Sequence, residues 1–286
     1  MEILFPDSPA QSQPAGQSRL AQSRLVLSLF PGAGLLDRGF EEAGFCVVRG
    51  PDTVFGQRIE DFTATALDGH VTGIIGGPPC QDYSRARRRP PSGHGEKMLN
   101  QYARVVTEAQ PNWWLLENVP GVPDVHIAGY SVQRFNLFAW EFGCRQSRNR
   151  SFQFGSRGGL GLVILRRTQS HLQSLAPAVL ARDTHRNFAD LCELQGLPRS
   201  FDLPGLSRTA KIRAVGNGVP VPMAKAVAEA IRDRPVTHNY RLCCCGCGRL
   251  LTGAQRQRSA TAACRKRIER SRSELPADSQ MPVPYK

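Results

Sequence analysis

The chain has 286 residues, of which 41% are apolar and 21% charged, a composition typical of globular proteins rather than disordered or fibrous ones. No apolar run reaches the roughly 18 to 20 residues of a membrane-spanning helix, and the N-terminal segment lacks the apolar core of a signal peptide. The 37 basic and 24 acidic residues give a net charge of +13, which favours a polyanionic partner such as nucleic acid. Composition thus argues against a membrane or secreted protein.

In chain order, the residues predict an α/β fold. A polar leader, 1–24, precedes the first apolar run, and short apolar runs then alternate with stripes of apolar residues at helical spacing. This alternation predicts a doubly wound, mostly parallel sheet with helices on both faces. The predicted strands are 25–30, 45–48, 71–75 and 113–116, and the predicted helices carry apolar stripes over 35–43, 98–109 and 222–231.

Three unusual stretches come directly after predicted strands. They are Phe30–Gly34, Gly76–Gln81 and Glu117–Val119. Ligands of such sheets bind beyond the carboxyl ends of the strands. The sequence therefore predicts that these stretches form one site.

The first stretch has the features of a nucleotide-like ligand loop. Gly32 and Gly34 allow the backbone to approach a ligand closely, and the following helix start offers unpaired N–H groups. Asp52, after the second predicted strand, could accept hydrogen bonds from ribose hydroxyls or be a solvated loop acid.

The second stretch presents a cysteine. Pro78 and Pro79 stiffen the backbone before Cys80, which suits a nucleophile better than a packing residue. A run of arginines follows, which belongs either to a solvated loop or to a loop that binds phosphates. It comprises Arg85, Arg87, Arg88 and Arg89.

Charged and polar side chains complete the predicted site. Glu117 ends an apolar strand, where burial of an acid is costly, and it is either a structural cap or a functional carboxylate. Gln146, Arg148 and Arg150 alternate, so in an extended segment they share one face. Three such groups can organise a carboxylate and a carbonyl-rich ligand.

Together the motifs resemble the ordered motifs of the DNA (cytosine-5)-methyltransferases, in a compact bacterial or phage type. The resemblance covers about Leu25 to Ile231, and chance agreement of all the motifs in order is not a serious alternative. The matching stretches are Phe30–Gly34, Gly77–Gln81, Glu117–Val119, Gln146–Arg150, Leu194–Pro198 and Gly216–Val219.

The resemblance implies S-adenosylmethionine as cofactor and double-stranded DNA as partner, with a monomer in the cytoplasm of a prokaryotic cell. Arg58 stands where an acid that contacts adenine is usual, so Asp61 is the candidate substitute. The implied cofactor-binding residues are Phe30, Gly32, Ala33, Gly34, Leu35, Asp52, Asp61, Pro78 and Asn217.

The family mechanism maps onto four residues of this chain. The resemblance implies that Cys80 attacks C6 of a flipped-out cytosine and that Glu117 engages N3 and the exocyclic amine. It further implies that Arg148 and Arg150 orient Glu117 and the base. The implied domains are a catalytic and cofactor-binding domain (25–150), a short target-recognition region (151–207) and a return segment (208–234).

Two alternatives remain open from the sequence. A tRNA cytosine methyltransferase shares the catalytic motifs, although the Cys-Phe-Thr stretch typical of that subfamily is missing. A catalytically silent DNA-binding homologue would be expected to lack part of the catalytic set, which is intact here. The segment from Ser151 to His185 is short for target recognition and predicts a short or degenerate target.

The last part, 236–286, is a basic tail rich in cysteine. It carries ten Lys and Arg against three acidic residues, more than half of the net charge. An odd total of nine cysteines without an export signal argues against a disulfide framework. Cys244, Cys247 and Cys264 could bind one structural zinc with a fourth ligand from Cys243, Cys245 or His238, or the tail could be disordered.

Overall fold

The computed structural model describes most of the chain between Arg24 and Arg234 and one short helical turn beyond it. Within these residues, no helix is long and apolar enough to cross a membrane. The described residues are 24–84, 87, 90–157, 159, 161–166, 175–234 and 262–266.

The strands form one mixed six-stranded sheet in the order β2-β1-β3-β4-β6-β5. Four neighbouring strands are parallel, and β6 runs antiparallel to both of its neighbours. The strands are β1 (Leu25–Leu29), β2 (Cys46–Arg49), β3 (Gly73–Gly76), β4 (Trp113–Asn118), β5 (Ser131–Phe138) and β6 (Asn149–Ser156). The prediction of a mostly parallel α/β sheet is confirmed.

Helices cover both faces of this sheet. They are α1 (Leu35–Glu42), α2 (His94–Ala109), α3 (Phe188–Leu194), α4 (Arg208–Asn217) and α5 (Val221–Arg232), with short 3₁₀ turns at 53–55, 59–61, 65–67 and 139–142. α1 and α5 pack on one face with the core around Phe40 and Met223. α2 covers the other face, where its stripe packs on Trp114 and Leu116.

Burial of the apolar stripes explains why these segments form helices. The predicted stripe of α2 is buried from Met98 to Ala109, and its Tyr102 donates a hydrogen bond of 2.9 Å to the Leu115 carbonyl of β4. α5 begins with Pro222 in its first turn, where a missing N–H costs nothing. A third cluster joins α3 and α4 to Leu35 of α1 and so brings the C-terminal segments to the ligand edge of the sheet.

The sequence analysis missed the hairpin of β5 and β6. The sheet continues past the predicted domain boundary at residue 150, because Ser151–Ser156 pair with both β4 and β5. β6 has no continuous apolar run, since its buried polar residues alternate with Phe152 and Phe154. Gln153 is fully buried because it accepts from Val125 N at 2.7 Å and donates to the Pro123 carbonyl at 2.8 Å.

Candidate active site

The three stretches singled out in the sequence meet at one edge of the sheet. β1, β3 and β4 are parallel neighbours, so their carboxyl ends lie side by side. The loop after β1 begins at Phe30, the loop after β3 leads to Cys80, and Glu117 lies near the end of β4. The predicted convergence of these stretches is confirmed.

The loop after β1 has an open, left-handed conformation. Gly32 and Gly34 have φ values of +54° and +72°, which glycine adopts without steric cost. No heavy atom lies within 4 Å of the position that a side chain at Gly32 would take. The backbone at Gly32 therefore borders open space in which a ligand can approach it.

Asp52 holds this loop from the side of β2. Its Oδ2 accepts a hydrogen bond of 2.8 Å from Gly32 N, and its Oδ1 accepts one of 2.8 Å from Val54 N. Each oxygen keeps a second acceptor position, so the carboxylate can shape the loop and still accept from a ligand hydroxyl.

The remaining predicted cofactor residues lie in different environments. The Leu35 side chain belongs to the core between α1, α3 and α4, so only its backbone can face a ligand. Asp61 is exposed in a 3₁₀ turn and Asn217 is exposed at the last position of α4. Pro78 is buried and Ala33 is half-buried.

The Cys80 loop is tied directly to the strand that carries Glu117. The Asn118 side chain donates a hydrogen bond of 2.9 Å to the Pro78 carbonyl. Beyond the cysteine, Tyr83 N and Ser84 N both donate to the Cys80 carbonyl at 3.0 Å, which turns the chain. Cys80 is half-buried and is therefore presented rather than packed away.

Glu117 is buried beside a cation. Its Oε1 lies 2.9 Å from Arg150 Nε, and it keeps only 7% of its surface exposed. That oxygen has no aligned hydrogen bond from the described residues, so the contact with Arg150 is an ion pair. Gly77 passes close by, since a side chain there would meet Glu117 Oε2 at 3.2 Å.

The electrostatics of the site follow from this burial. Burial raises the pKa of the Cys80 thiol, the charge of Arg150 opposes this rise, and Glu117 adds to it. Burial also raises the pKa of Glu117, against the opposing charges of Arg150 and Arg148. A thiol and a carboxyl group with displaced pKa values beside one cation mark this cluster as a candidate functional site.

Arg150 is predicted to control the reactivity of Cys80. Replacing Arg150 by Gln removes the cation that lowers the pKa of the thiol, so less thiolate is present at mildly alkaline pH. We expect alkylation of Cys80 by iodoacetamide to slow by about threefold or more, which corresponds to half a pKa unit. Mass spectrometry of the Cys80 peptide measures this rate, and Arg145→Gln, at an exposed position directly before the Gln146–Arg150 motif, is the control. Equal alkylation rates in the two variants would contradict the proposed effect of Arg150 on the Cys80 thiol.

Gln146, Arg148 and Arg150 share one face, as predicted, but only Arg150 pairs with Glu117. The fully buried Arg148 donates to the carbonyls of Gly216 at 2.8 Å and Gly218 at 2.7 Å, and also to the Val179 carbonyl. The hydrogen bonds of Arg148 thus join the start of β6 to the end of α4 and to the segment after it, and none of them reaches Glu117. Its charge still acts on Glu117 and Cys80.

Gln195, which the sequence analysis did not single out, completes this connection. Gln146 Nε2 donates to Gln195 Oε1 at 2.9 Å and to the Leu194 carbonyl at 2.6 Å. Gln195 Nε2 in turn donates to the Val215 carbonyl at 2.6 Å. The motif position of Gln195 was visible in the sequence, but its partners are distant in the chain.

Arg148→Met is expected chiefly to lower the thermal stability of the protein. The substitution keeps an apolar stem but leaves the carbonyls of Val179 and Gly216 without their donor, whereas the Gly218 carbonyl keeps a hydrogen bond of 3.1 Å from Gln195 Nε2. Each unsatisfied buried group costs about 1–3 kcal/mol. We expect the melting temperature to fall by about 4 °C or more, since each kcal/mol shifts it by roughly 2–4 °C in a domain of this size. Differential scanning calorimetry measures the shift. An unchanged melting temperature would show that these hydrogen bonds do not hold the C-terminal segment.

A further acid braces the Cys80 loop. Asp82 accepts hydrogen bonds of 2.8 Å from Ser92 N and from Gly95 N in the first turn of α2. These bonds lower the pKa of Asp82 and connect the residues after Cys80 to the start of α2. The sequence shows an acid two residues after Cys80. Its hydrogen-bond partners lie beyond the arginine run, so the sequence does not identify them.

The predicted metal ligands lie only partly within the described residues. Cys244 and Cys247 fall outside them, and Cys264 is buried in the helical turn 262–266. Among the residues that the structure describes, no group of three or more His, Cys, Asp or Glu side chains is arranged to hold a metal ion. The zinc prediction therefore gains no support.

Known proteins share this arrangement of motifs and fold. The family model of the C-5 cytosine-specific DNA methylases matches residues 25–190 and 183–233. The chain belongs to this family. It is 30% identical over 251 residues to the type II methyltransferase M.HgiDI of Herpetosiphon aurantiacus, with coverage of 76% of this chain and 81% of the relative.

Other relatives match to different extents. M.AquIA of Picosynechococcus is 31% identical over 260 residues, which cover 75% of this chain and 98% of M.AquIA. M.FnuDI of Fusobacterium nucleatum is 32% identical over 168 residues, 48% of each chain. The chain thus matches only about half of the length of some type II methyltransferases.

Two solved structures have the same fold. A putative DNA modification methyltransferase encoded within an E. coli prophage superposes with a TM-score of 0.56 at 17% identity, covering 73% of this chain and 98% of that chain. A DNMT2 variant of Spodoptera frugiperda superposes with a TM-score of 0.54 at 14% identity, covering 74% of this chain and 100% of that chain. At such low sequence identities, the similarity shows only that the fold is shared.

Proposed function

We propose that the chain transfers a methyl group from S-adenosylmethionine to C5 of cytosine in DNA. The observation that carries the proposal is the meeting of Cys80, Glu117 and Arg150 beside an open, glycine-rich cofactor loop. Membership of the C-5 cytosine-specific DNA methylase family points to the same chemistry.

The loop after β1 suits the proposed cofactor. The open space at Gly32 and the free acceptor capacity of Asp52 fit a nucleoside whose ribose hydroxyls need acceptors. Phe30, Ala33, Gly34 and the Leu35 backbone line the same turn, while Pro78, Asp61 and Asn217 remain proposed contacts. When bound, S-adenosylmethionine supplies the electrophilic methyl group.

Cys80, Glu117 and Arg150 have different proposed roles in the reaction on cytosine. The Cys80 thiolate adds to C6, and C5 then takes the methyl group as the bond between that methyl group and the cofactor sulfur breaks. The C5 proton is lost to solvent water, and the bond between Cys80 and C6 breaks as the C5–C6 double bond re-forms. Glu117 has a raised pKa, so it can hold a proton for N3 of the ring. Its Oε1 is ion-paired with Arg150 but receives no aligned hydrogen bond from the described residues, so it can accept one from the exocyclic amine. Arg150 keeps the carboxyl in place and favours the thiolate.

The half-buried position of Cys80 requires an extruded base. C6 of a stacked cytosine is out of reach of a side chain held in a cleft, so the target nucleotide has to be flipped out of the duplex. The net charge of +13 favours binding to the phosphate backbone. The Arg run after Cys80 and the basic tail are proposed to add to this binding without reading bases.

A short target sequence is proposed because the predicted recognition region is short and part of it serves the fold. Within the predicted region 151–207, Ser151–Ser156 belong to the sheet and Leu162 packs in the core. Val179 is fully buried, and the Arg186 side chain donates a hydrogen bond of 2.9 Å to the Pro177 carbonyl. Each good bidentate base contact supplies only about 1–3 kcal/mol of discrimination, so few contacts mean a short motif.

Bisulfite sequencing tests both the reaction and the target. DNA from cells that lack their own cytosine methylation, and that express the chain, is expected to carry 5-methylcytosine in a motif of about two to four base pairs. DNA from cells expressing Cys80→Ser is the control. Methylation of a strict six-base site would contradict the short target, and no methylation would contradict the DNA activity.

The alternatives from the sequence have separate tests. Transfer of labelled methyl groups to duplex DNA and to tRNA, measured in parallel, separates the two enzyme classes. Relatives named as type II methyltransferases favour DNA. A catalytically silent protein would bind DNA in the same assays without methylating either substrate. A monomer in the bacterial cytoplasm is the proposed state.

A further inference from the structure

The cofactor loop begins with a residue in a conformation that its side chain disfavours. Gly32 and Gly34 adopt positive φ values without steric cost, but Phe30 also has a positive φ, of +54°, although it has a side chain. Such a conformation is strained and persists only when the surroundings of the residue hold it. The loop therefore needs neighbouring residues that keep it in this conformation.

An ion pair between the buried Asp37 and the half-exposed Arg49 lies directly behind the loop. Asp37, in the first turn of α1, is fully buried, and its Oδ1 accepts a hydrogen bond of 2.5 Å from Ser28 Oγ of β1. Its Oδ2 accepts one of 3.0 Å from Arg49 Nε at the end of β2. One carboxylate thus joins the three elements from which the cofactor site is built.

Arg49 also touches the loop itself. A side chain at Gly34 would lie 2.9 Å from Arg49 Nη2, so the guanidinium packs against the glycine that starts α1. The side chain is half-exposed, and its Nη2 lies 3.7 Å from Glu41 Oε1. Arg49 therefore supports the loop from outside, while Asp52 holds Gly32 from the same edge.

We propose that the Asp37–Arg49 pair positions the cofactor loop and that Arg49 thereby sets the affinity for S-adenosylmethionine. The inference rests on the proposed function for the identity of the ligand. Arg49 is a positioning residue, because it acts on the loop backbone and has no part in the attack on cytosine. Its loss affects cofactor binding and leaves the chemical step intact.

Arg49→Gln tests this role. The variant keeps a polar stem but removes the charge that satisfies buried Asp37. Isothermal titration with S-adenosylmethionine is expected to show a Kd about tenfold higher, which equals about 1.4 kcal/mol. The methylation rate at saturating cofactor is expected to stay within about twofold of the wild-type rate.

Arg38→Gln is the matched control on the same helix. It removes the exposed pair between Arg38 and Glu42, whose charged atoms lie 3.2 Å apart. Such exposed pairs contribute little, so its Kd should equal that of the wild type. A Kd unchanged in Arg49→Gln, or raised equally in both variants, overturns the proposal.

Hydrogen exchange gives a readout that does not depend on function. In the unliganded protein, Arg49→Gln is expected to speed amide exchange in the peptide that spans Phe30 to Arg38, whereas Arg38→Gln leaves the loop portion of that peptide unchanged. Asp37→Asn, which keeps an acceptor for Ser28 but loses the charge, should move exchange in the same direction. Unchanged exchange in Arg49→Gln overturns the positioning role. If the wild type does not bind S-adenosylmethionine, the proposed function fails, and the exchange experiment alone decides the role of the pair.

Discussion

Cys80→Ser is expected to lose methyl transfer by a factor of about a thousand or more, equivalent to about 4 kcal/mol of activation free energy. The serine hydroxyl is almost the same size but a far weaker nucleophile, so the first addition to C6 fails. Because Cys80 is half-buried and has no packing role like that of Cys144, the fold and cofactor binding should persist. Tritium transfer to duplex DNA, with titration of S-adenosylmethionine, measures both quantities.

Adduct trapping makes this test specific. Duplexes with 5-fluorocytosine block proton loss at C5, so the wild type should form a covalent complex that survives denaturing gels, and Cys80→Ser should form none. Cys46→Ser, which removes an exposed thiol, should trap DNA like the wild type. Near wild-type methylation by Cys80→Ser would remove Cys80 as the nucleophile.

Glu117→Gln is expected to lower the transfer rate by about a hundred- to a thousandfold, the usual effect of losing one charge-stabilising group in a preorganised site. The amide keeps the size of the carboxyl but can neither hold the proton for N3 nor pair with Arg150. The loss should appear in kcat at saturating cofactor and DNA. Glu141→Gln is the matched control, since Glu141 is equally buried but caps the turn after β5.

Glu117→Gln is also expected to change how the free energy of unfolding depends on pH. Because burial raises the pKa of Glu117, this carboxyl favours the folded state at low pH and loses that contribution as pH rises through its folded pKa. Glu117→Gln has no such charge, so its free energy of unfolding relative to the wild type should increase with pH. Urea denaturation across the pH range measures this difference. A decrease with pH would mean that Arg150 outweighs the burial.

Local sequence determines much of the candidate site. The positions of Cys80 and Glu117 follow from the apolar strands that precede them, because parallel strands of such a sheet end at a common edge. The shared face of Gln146, Arg148 and Arg150 follows from the two-residue repeat of an extended chain. In each case the information lies within a few residues of the feature.

Long-range contacts do not follow from local patterns. β5 and β6 carry polar residues in buried positions, and these become favourable only through partners such as the loop carbonyl of Pro123. The spacing of Arg148 predicts a partner for Glu117, yet its donors reach Gly216 and Gly218, far along the chain. A side chain of this length has several partners within reach, and tertiary packing selects among them.

The sequence by itself determined the class of the sheet and which residues are the candidate nucleophile and the candidate acid at its carboxyl edge, since periodicity and motif order are local properties. Only the tertiary structure decided which cation pairs with Glu117, that the central sheet continues through Ser156, and that Asp37 pairs with Arg49 beside the loop after β1. These depend on the distances between elements that are remote in the chain, and burial then assigns each charged group the partner that offsets its lost hydration.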